Sequence, residues 1–220
     1  MFHYFIFLTF SLISYFLIYL PPVFSRTDVV REIQSSTGDS RGSWRNLVYC
    51  LDNHYVNGFN QRVDCNNYGV NVFILYCASL DNSQSYSIIS YDDSGGSWQT
   101  EQYCNFGDFM QSYFVSKNGC TSWSLLDFFG ISYCVKEISL SDVRMKCITG
   151  TNDLSPGGGC HNDWTGLASC TTGEAICGYQ IRFEDGGGVR ASDSIFKCCC
   201  LNGYFLCTDP SNGQKSVVTH

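Results

Sequence analysis

The chain has little of what most catalytic or nucleic-acid-binding proteins depend on. It holds four histidines, of which His3 lies in the opening apolar segment and His220 ends the chain, leaving only His54 and His161 as imidazoles for acid–base work. Neither belongs to a Ser, His, Asp arrangement, and no G-x-S-x-G nucleophile turn occurs. Lys and Arg number 13 against 20 Asp and Glu, a net charge of -7. That balance excludes nucleic acid and anionic membrane surfaces as partners, because both require a basic patch. Ala, Leu, Glu and Lys are scarce and few windows repeat apolar residues at spacings of three and four, which argues against a helical fold. No N-x-[ST] sequon is present, so N-linked glycosylation of this chain is not expected. Long apolar runs are limited to one, at the start.

That run, residues 2–25, contains no Lys, Arg, Asp or Glu. Val23 and Ser25 are small enough for the positions three and one before a cut at Arg26, so residues 1–25 read as an export signal peptide. The run is also long enough to be an uncleaved membrane anchor. Either way the body lies outside the cell, and after signal removal no membrane contact is expected. All fourteen cysteines follow the run, an even number suited to a chain folded in an oxidising compartment. Secretion is the expected localisation.

What is abundant is repetition. The string Trp, five residues, Cys occurs three times, from Trp44 to Cys50, Trp98 to Cys104 and Trp164 to Cys170. After each cysteine, at the same distance, stands an aromatic residue, Phe59, Tyr113 or Tyr179, followed by a short alternating stretch. Such self-similarity describes a scaffold built three times, with copies over about residues 36–87, 88–150 and 151–200. The second copy is longer, and its extra residues are placed in a loop between Lys117 and Lys146. Short alternating runs such as 113–117, 131–134, 143–147 and 179–183, separated by GDSRGS, DDSGGS, PGGG and EDGGG, read as antiparallel strands joined by turns.

A narrow sheet with one apolar face cannot bury that face alone. Three can bury one another. The expected fold is therefore all-β: a disulfide-rich β-prism of three antiparallel sheets with pseudo-threefold symmetry, in one domain over 26–200, followed by a tail over 201–220. Trp44, Trp98 and Trp164 are expected in the shared core, with sugar-stacking platforms as the competing reading.

The simplest bridges close each copy on itself: Cys50 with Cys77, Cys170 with Cys198, and Cys104 with either Cys134 or Cys147. Cys177 has no counterpart in the other copies and is expected to take one of Cys198, Cys199 and Cys200. Sequence leaves Cys65, Cys120, Cys160 and Cys207 unassigned. Metal is the rival use of cysteine, but the only Cys beside a His is Cys160 with His161. No metal and no cofactor are expected.

GSWRNLVYC and GSWQTEQYC, the close at VRMKC, and above all WTGLASC, CGYQIRFE and DSIFKCC in the third copy resemble the vitelline membrane outer layer protein family, from about Ser36 to Cys200. The resemblance implies a secreted β-prism of the outer egg coat and other extracellular fluids, with affinity for glycans. The Asp-rich turn of family copies is missing here; Asp193 and Asp127 stand as partial counterparts. Extra cysteines, notably Cys65, Cys120 and Cys207, also set the chain apart.

The expected function is a structural component of an extracellular coat, of egg-envelope or vitelline membrane type, associated with glycans or other coat proteins. Two paired acids on turns, Asp92 with Asp93 and Glu184 with Asp185, are the candidate glycan contacts, and no residue is assigned a catalytic role. The alternative is a carbohydrate-active enzyme on amino-sugar oligosaccharides using acids such as Glu184 or Asp93, although neighbours on a strand face opposite ways and make a poor acid and nucleophile pair. A structural protein that binds no sugar is the other alternative.

Overall fold

A computed structural model of the chain describes residues 26, 28–35, 42–64, 69–92, 95–118, 139–158, 163–184 and 190–201. Outside them lie the apolar run, the expected strand over 131–134, the tail beyond Leu201, and Cys65, Cys120, Cys134, Cys160, Cys207, His161, Asp93, Asp127 and Asp185. The described residues contain no helix. In chain order the strands are β1 (Val29–Ile33), β2 (Ser43–Trp44), β3 (Val48–Tyr49), β4 (His54–Asp64), β5 (Gly69–Ser79), β6 (Ser85–Ile89), β7 (Ser97–Trp98), β8 (Gln102–Tyr103), β9 (Met110–Asn118), β10 (Ser139–Cys147), β11 (Asp163–Trp164), β12 (Ala168–Ser169), β13 (Glu174–Glu184) and β14 (Arg190–Cys200).

Three long hairpins, β4–β5, β9–β10 and β13–β14, are the centres of three antiparallel sheets. Each begins where a repeat's Val, Ile, Phe and Tyr alternation begins, the composition suited to a half-buried pleated surface. The register slips between Val56 and Gly58 and between Arg62 and Val63 in the first hairpin, and between Ile176 and Gly178 and between Arg182 and Phe183 in the third. Bulges of this kind increase local twist, which curls a narrow sheet around a neighbour. The extra residues of the second copy fall in the β9 to β10 connection.

The short strands do not stay with their own repeat. β7 and β8, from the second copy, pair with β4 of the first; β11 and β12, from the third, pair with β9 of the second; β2 and β3, from the first, pair with β13 of the third. Each sheet thus takes its edge from the following copy, and the first copy closes the ring onto the last. At the remaining edges β6 lies beside β5 and β1 beside β14.

This exchange changes what the intra-repeat bridges do. Cys50, Cys104 and Cys170 each donate a backbone N–H into the foreign sheet, to the carbonyls of Cys177, Asn57 and Gln111 at 2.7, 2.7 and 2.9 Å. Their sulfurs bond Cys77, Cys147 and Cys198 on the second long strand of their own sheets. Three disulfides therefore tie three sheets into a closed ring. Cys147, not Cys134, closes the second copy: on β10 it faces Met110 as Cys77 on β5 faces Val56 and Cys198 on β14 faces Ile176, the equivalent place in each hairpin. Cys177 bonds Cys199 within the third hairpin, and Cys200 is disulfide-bonded as well.

The enclosed core is apolar and aromatic. Phe59, Tyr113 and Tyr179, the repeated aromatic positions, are fully buried with Leu75, Met145, Phe73 and Phe196. Phe196 lies 4.2 Å from Tyr113 and 5.8 Å from Tyr179 between ring centroids, so rings of different copies pack directly. The two tyrosine hydroxyls sew sheets together. Tyr179 donates to the Phe73 carbonyl at 2.5 Å and accepts from the Ser90 N–H at 2.8 Å; Tyr113 donates to the Ser194 carbonyl at 3.0 Å and accepts from the Ser35 N–H at 2.8 Å. At one end a smaller cluster of Tyr55, Ala78, Phe109, Ala175 and Leu201 surrounds the Cys177–Cys199 bridge.

The tryptophans are not in this core, contrary to the expectation from their recurrence. They stand on the two-residue edge strands, and each carries an arginine over its ring: Arg182 over Trp44 at 4.6 Å, Arg62 over Trp98 at 4.4 Å and Arg144 over Trp164 at 4.1 Å. Arg182 and Arg62 face their tryptophans directly in the register, whereas the second sheet has Ser116 there and takes its guanidinium from Arg144 on the next strand. The positions repeat because the sheet edge repeats. A half-buried indole under a guanidinium is held by cation–π attraction rather than by core packing.

Candidate functional site

The three sheets carry related outer faces, and one of them departs. Ahead of each closing cysteine stands an outward residue, Tyr76, Lys146 or Lys197, opposite Gly58, Ser112 or Gly178. On the second and third faces the lysine is neutralised locally, Lys146 by Asp153 at 3.1 Å and Lys197 by Glu32. On the first face Tyr76 replaces the lysine and lies beside Tyr103, ring centroids 5.1 Å apart.

Local sequence explains where Tyr103 lies. Its ring sits over Gly58, close enough that a Cβ there would come within 2.3 Å of Cδ1; Tyr49 covers Gly178 in the same way, at 2.5 Å. In the second sheet the corresponding pair is Ser112 with Ser169, small against small. A missing side chain is thus the seat for a ring. Glu101 then fixes the first face, accepting hydrogen bonds from Tyr76 at 2.7 Å and Tyr103 at 2.9 Å. These bonds hold the Glu101 carboxyl below its usual pKa, while burial and the neighbouring carboxylate push the Tyr103 phenol up to about 12 and the Tyr76 phenol further. Both phenols stay neutral donors across the physiological range.

Around this pair opens a cleft of about 580 Å³, lined among others by Asn57, Tyr76, Asn82, Tyr86, Tyr103 and Phe106. Phe106 is 88% exposed and Tyr103 47%, an unusual exposure for large rings. Two amide atoms of lining residues, Asn57 Oδ1 and Asn82 Nδ2, are shielded from solvent with no partner in the protein. Asn82 is set by a tight turn: its φ is +54°, and its neighbour Asp81 accepts from the Ser79 hydroxyl at 2.6 Å and the Ser83 N–H at 3.0 Å. Those bonds lower the Asp81 pKa to about 2.

The acids singled out from sequence lie elsewhere. Asp92 is exposed and 3.4 Å from Arg62, the arginine that covers Trp98. Glu184 ends β13 on the third sheet, whereas Asp92 lies in the connection between β6 and β7 of the first. Neither lines the cleft. The position in register with Asp193 is held in the second sheet by Asp142: the two face Arg182 and Ser116. Both are buried, which raises their pKa values, and each accepts from a glutamine amide, Gln61 to Asp142 at 2.5 Å and Gln34 to Asp193 at 2.6 Å. One cluster of potential metal ligands occurs among the described residues, Cys170, Glu174 and Cys198. Its sulfurs form a disulfide and Glu174 holds Arg31 at 2.9 Å, so it has the makeup of a structural lock. Sequence reasoning passed over the cleft residues, although LYC against MKC and FKC marks the one closing strand without lysine.

Three twisted antiparallel sheets around a common core make this a β-prism. Solved β-prisms resemble it at the level of fold: the Calystegia sepium agglutinin, with a TM-score of 0.50, 9% identity and coverage of 80% of this chain and 99% of that one, and artocarpin, described as a lectin with mannose specificity, with a TM-score of 0.50, 12% identity and coverage of 77% and 97%. No curated protein matches the chain by sequence. The family model Vitelline membrane outer layer protein I matches residues 31–201, and the chain belongs to that family.

Proposed function

We propose that this protein is a secreted structural component of an extracellular coat, of the egg-envelope or vitelline membrane outer layer kind, and that it associates with glycans. The observation that carries the reading is the family match over residues 31–201, nearly the whole described body. The ring of inter-sheet disulfides supports it, because a coat protein must persist in an oxidising, unprotected setting. The proposed organisation is a signal peptide over 1–25, one domain over 26–200 and a tail over 201–220. Arg26 supports that start: it is buried, donates to the His54 carbonyl at 2.6 Å and pairs with Asp28 at 2.6 Å, anchoring the lead into β1.

Expression in a secreting eukaryotic cell tests the reading. The expected product is released to the medium with Arg26 as its first residue, is retained on an immobilised neutral polysaccharide, and is found by antibody in the extracellular coat of the source tissue. Retention inside cells, or a released protein absent from any coat, overturns the coat role.

A further inference from the structure

We infer that the cleft on the first sheet, between Tyr76, Tyr103 and Phe106, is a binding site for an uncharged oligosaccharide. The inference rests on the glycan-associated reading above and gives it a place. Pseudo-threefold symmetry supplies the control: three faces share one backbone plan, and two of them close their outer position with a Lys–acid pair. Among the described residues, only the first combines exposed rings with amide groups that the protein leaves unpaired.

Each feature fits a sugar ring. The C–H face of a pyranose is apolar and packs on an aromatic face, and Tyr103 and Phe106 present such surface to solvent. Vicinal hydroxyls both donate and accept, and the unpartnered atoms are one acceptor, Asn57 Oδ1, and one donor, Asn82 Nδ2. An unpartnered amide out of water is destabilising, so a ligand that satisfies it gains relative to water left in bulk. Tyr76 and Tyr103 are fixed in advance by Glu101, which limits the ordering cost on binding. Charge chooses among sugars. The Glu101 carboxylate beside the rings and the net charge of -7 disfavour sulfated or uronic acid chains.

The test is titration of the full secreted protein with neutral oligosaccharides, mannopentaose and an N-acetylglucosamine tetramer, and with a heparin tetrasaccharide, followed by calorimetry. The expected result is binding of a neutral probe, no binding of heparin, and affinity lowered about tenfold or more in Tyr103→Ala and in Phe106→Ala. Phe106 is nearly fully exposed, so its variant folds even if Tyr103→Ala does not. Tyr49→Ala, the corresponding ring on the third sheet, is expected to bind as wild type. Neutral binding that is indifferent to both cleft variants overturns the site while leaving glycan association standing. Binding of heparin in preference to neutral sugars overturns the assigned ligand class. No binding of any glycan overturns both this inference and the glycan part of the proposed function.

Discussion

Removing the bridge between Cys104 and Cys147 probes the ring that holds the sheets together. Cys104 is tied to the first sheet by its N–H on the Asn57 carbonyl, and Cys147 ends β10 of the second sheet. The bridge closes a loop with a sequence separation of 43, the longest of the three inter-sheet bridges, the others spanning 27 and 28. The chain-entropy relation gives about 4 kcal/mol for a loop of that length. A domain commonly has only about 5 to 15 kcal/mol in total. The Cys104→Ser, Cys147→Ser double variant therefore folds, because the hydrophobic core remains, but with a large share of its stability gone. With a urea dependence of about 2 kcal/mol per molar, its unfolding midpoint falls by about 2 M under non-reducing conditions. The Cys177→Ser, Cys199→Ser variant is the comparison, since its bridge lies within one hairpin already paired and closes a loop of separation 22 that largely overlaps the one closed by Cys170 and Cys198. Its midpoint moves less. A shift below about 0.5 M for the first variant, or a larger shift for the second, refutes the inter-sheet clasp.

Three further outcomes are expected. Tyr179→Phe strands the Ser90 N–H and the Phe73 carbonyl in the core, a loss of about 1 to 3 kcal/mol measurable by denaturant unfolding; wild-type stability in that variant contradicts the sewing role of the hydroxyl. Gly58→Ala drives a methyl into the Tyr103 ring and costs about 1 to 3 kcal/mol, and adding Tyr103→Ser, which reproduces the Ser112 and Ser169 arrangement of the second sheet, restores the melting temperature; failure of that rescue counts against the ring-over-glycine argument. Asp142 and Asp193 have pKa values raised by burial, so the folded protein binds their protons more tightly than the unfolded chain does. Their contribution to stability grows as pH falls from neutral through the raised values and levels off below about pH 4. Melting temperatures of Asp142→Asn and Asp193→Asn should depend less on pH between 7 and 4 than wild type, and parallel profiles refute the assignment.

Much of the fold was legible because it is local and repeated. The alternation after Phe59, Tyr113 and Tyr179 states strand and inward face together, and its triplication states how many faces must meet. The tryptophans were misplaced for an instructive reason. Recurrence in step with cysteine reports a repeated environment, but a core and a cation-capped sheet edge recur equally well, and the arginine that decides between them is supplied by a different copy in every case. The cleft was harder still. Tyr76, Tyr103, Phe106, Asn57 and Asn82 come from β5, β8, the turn after β8, β4 and the turn before β6, and no spacing rule connects them.

Sequence by itself determined the all-β class, the threefold plan and the closing bridges of the first and third copies, since each is written in residue type and short-range period. Tertiary structure alone decided that every Trp-to-Cys segment joins the sheet of the preceding copy, that Cys104 closes on Cys147, and that the first face opens where the others are sealed. Strand pairing depends on which backbone edges remain unsatisfied after the long hairpins form, and that is a property of the assembled prism.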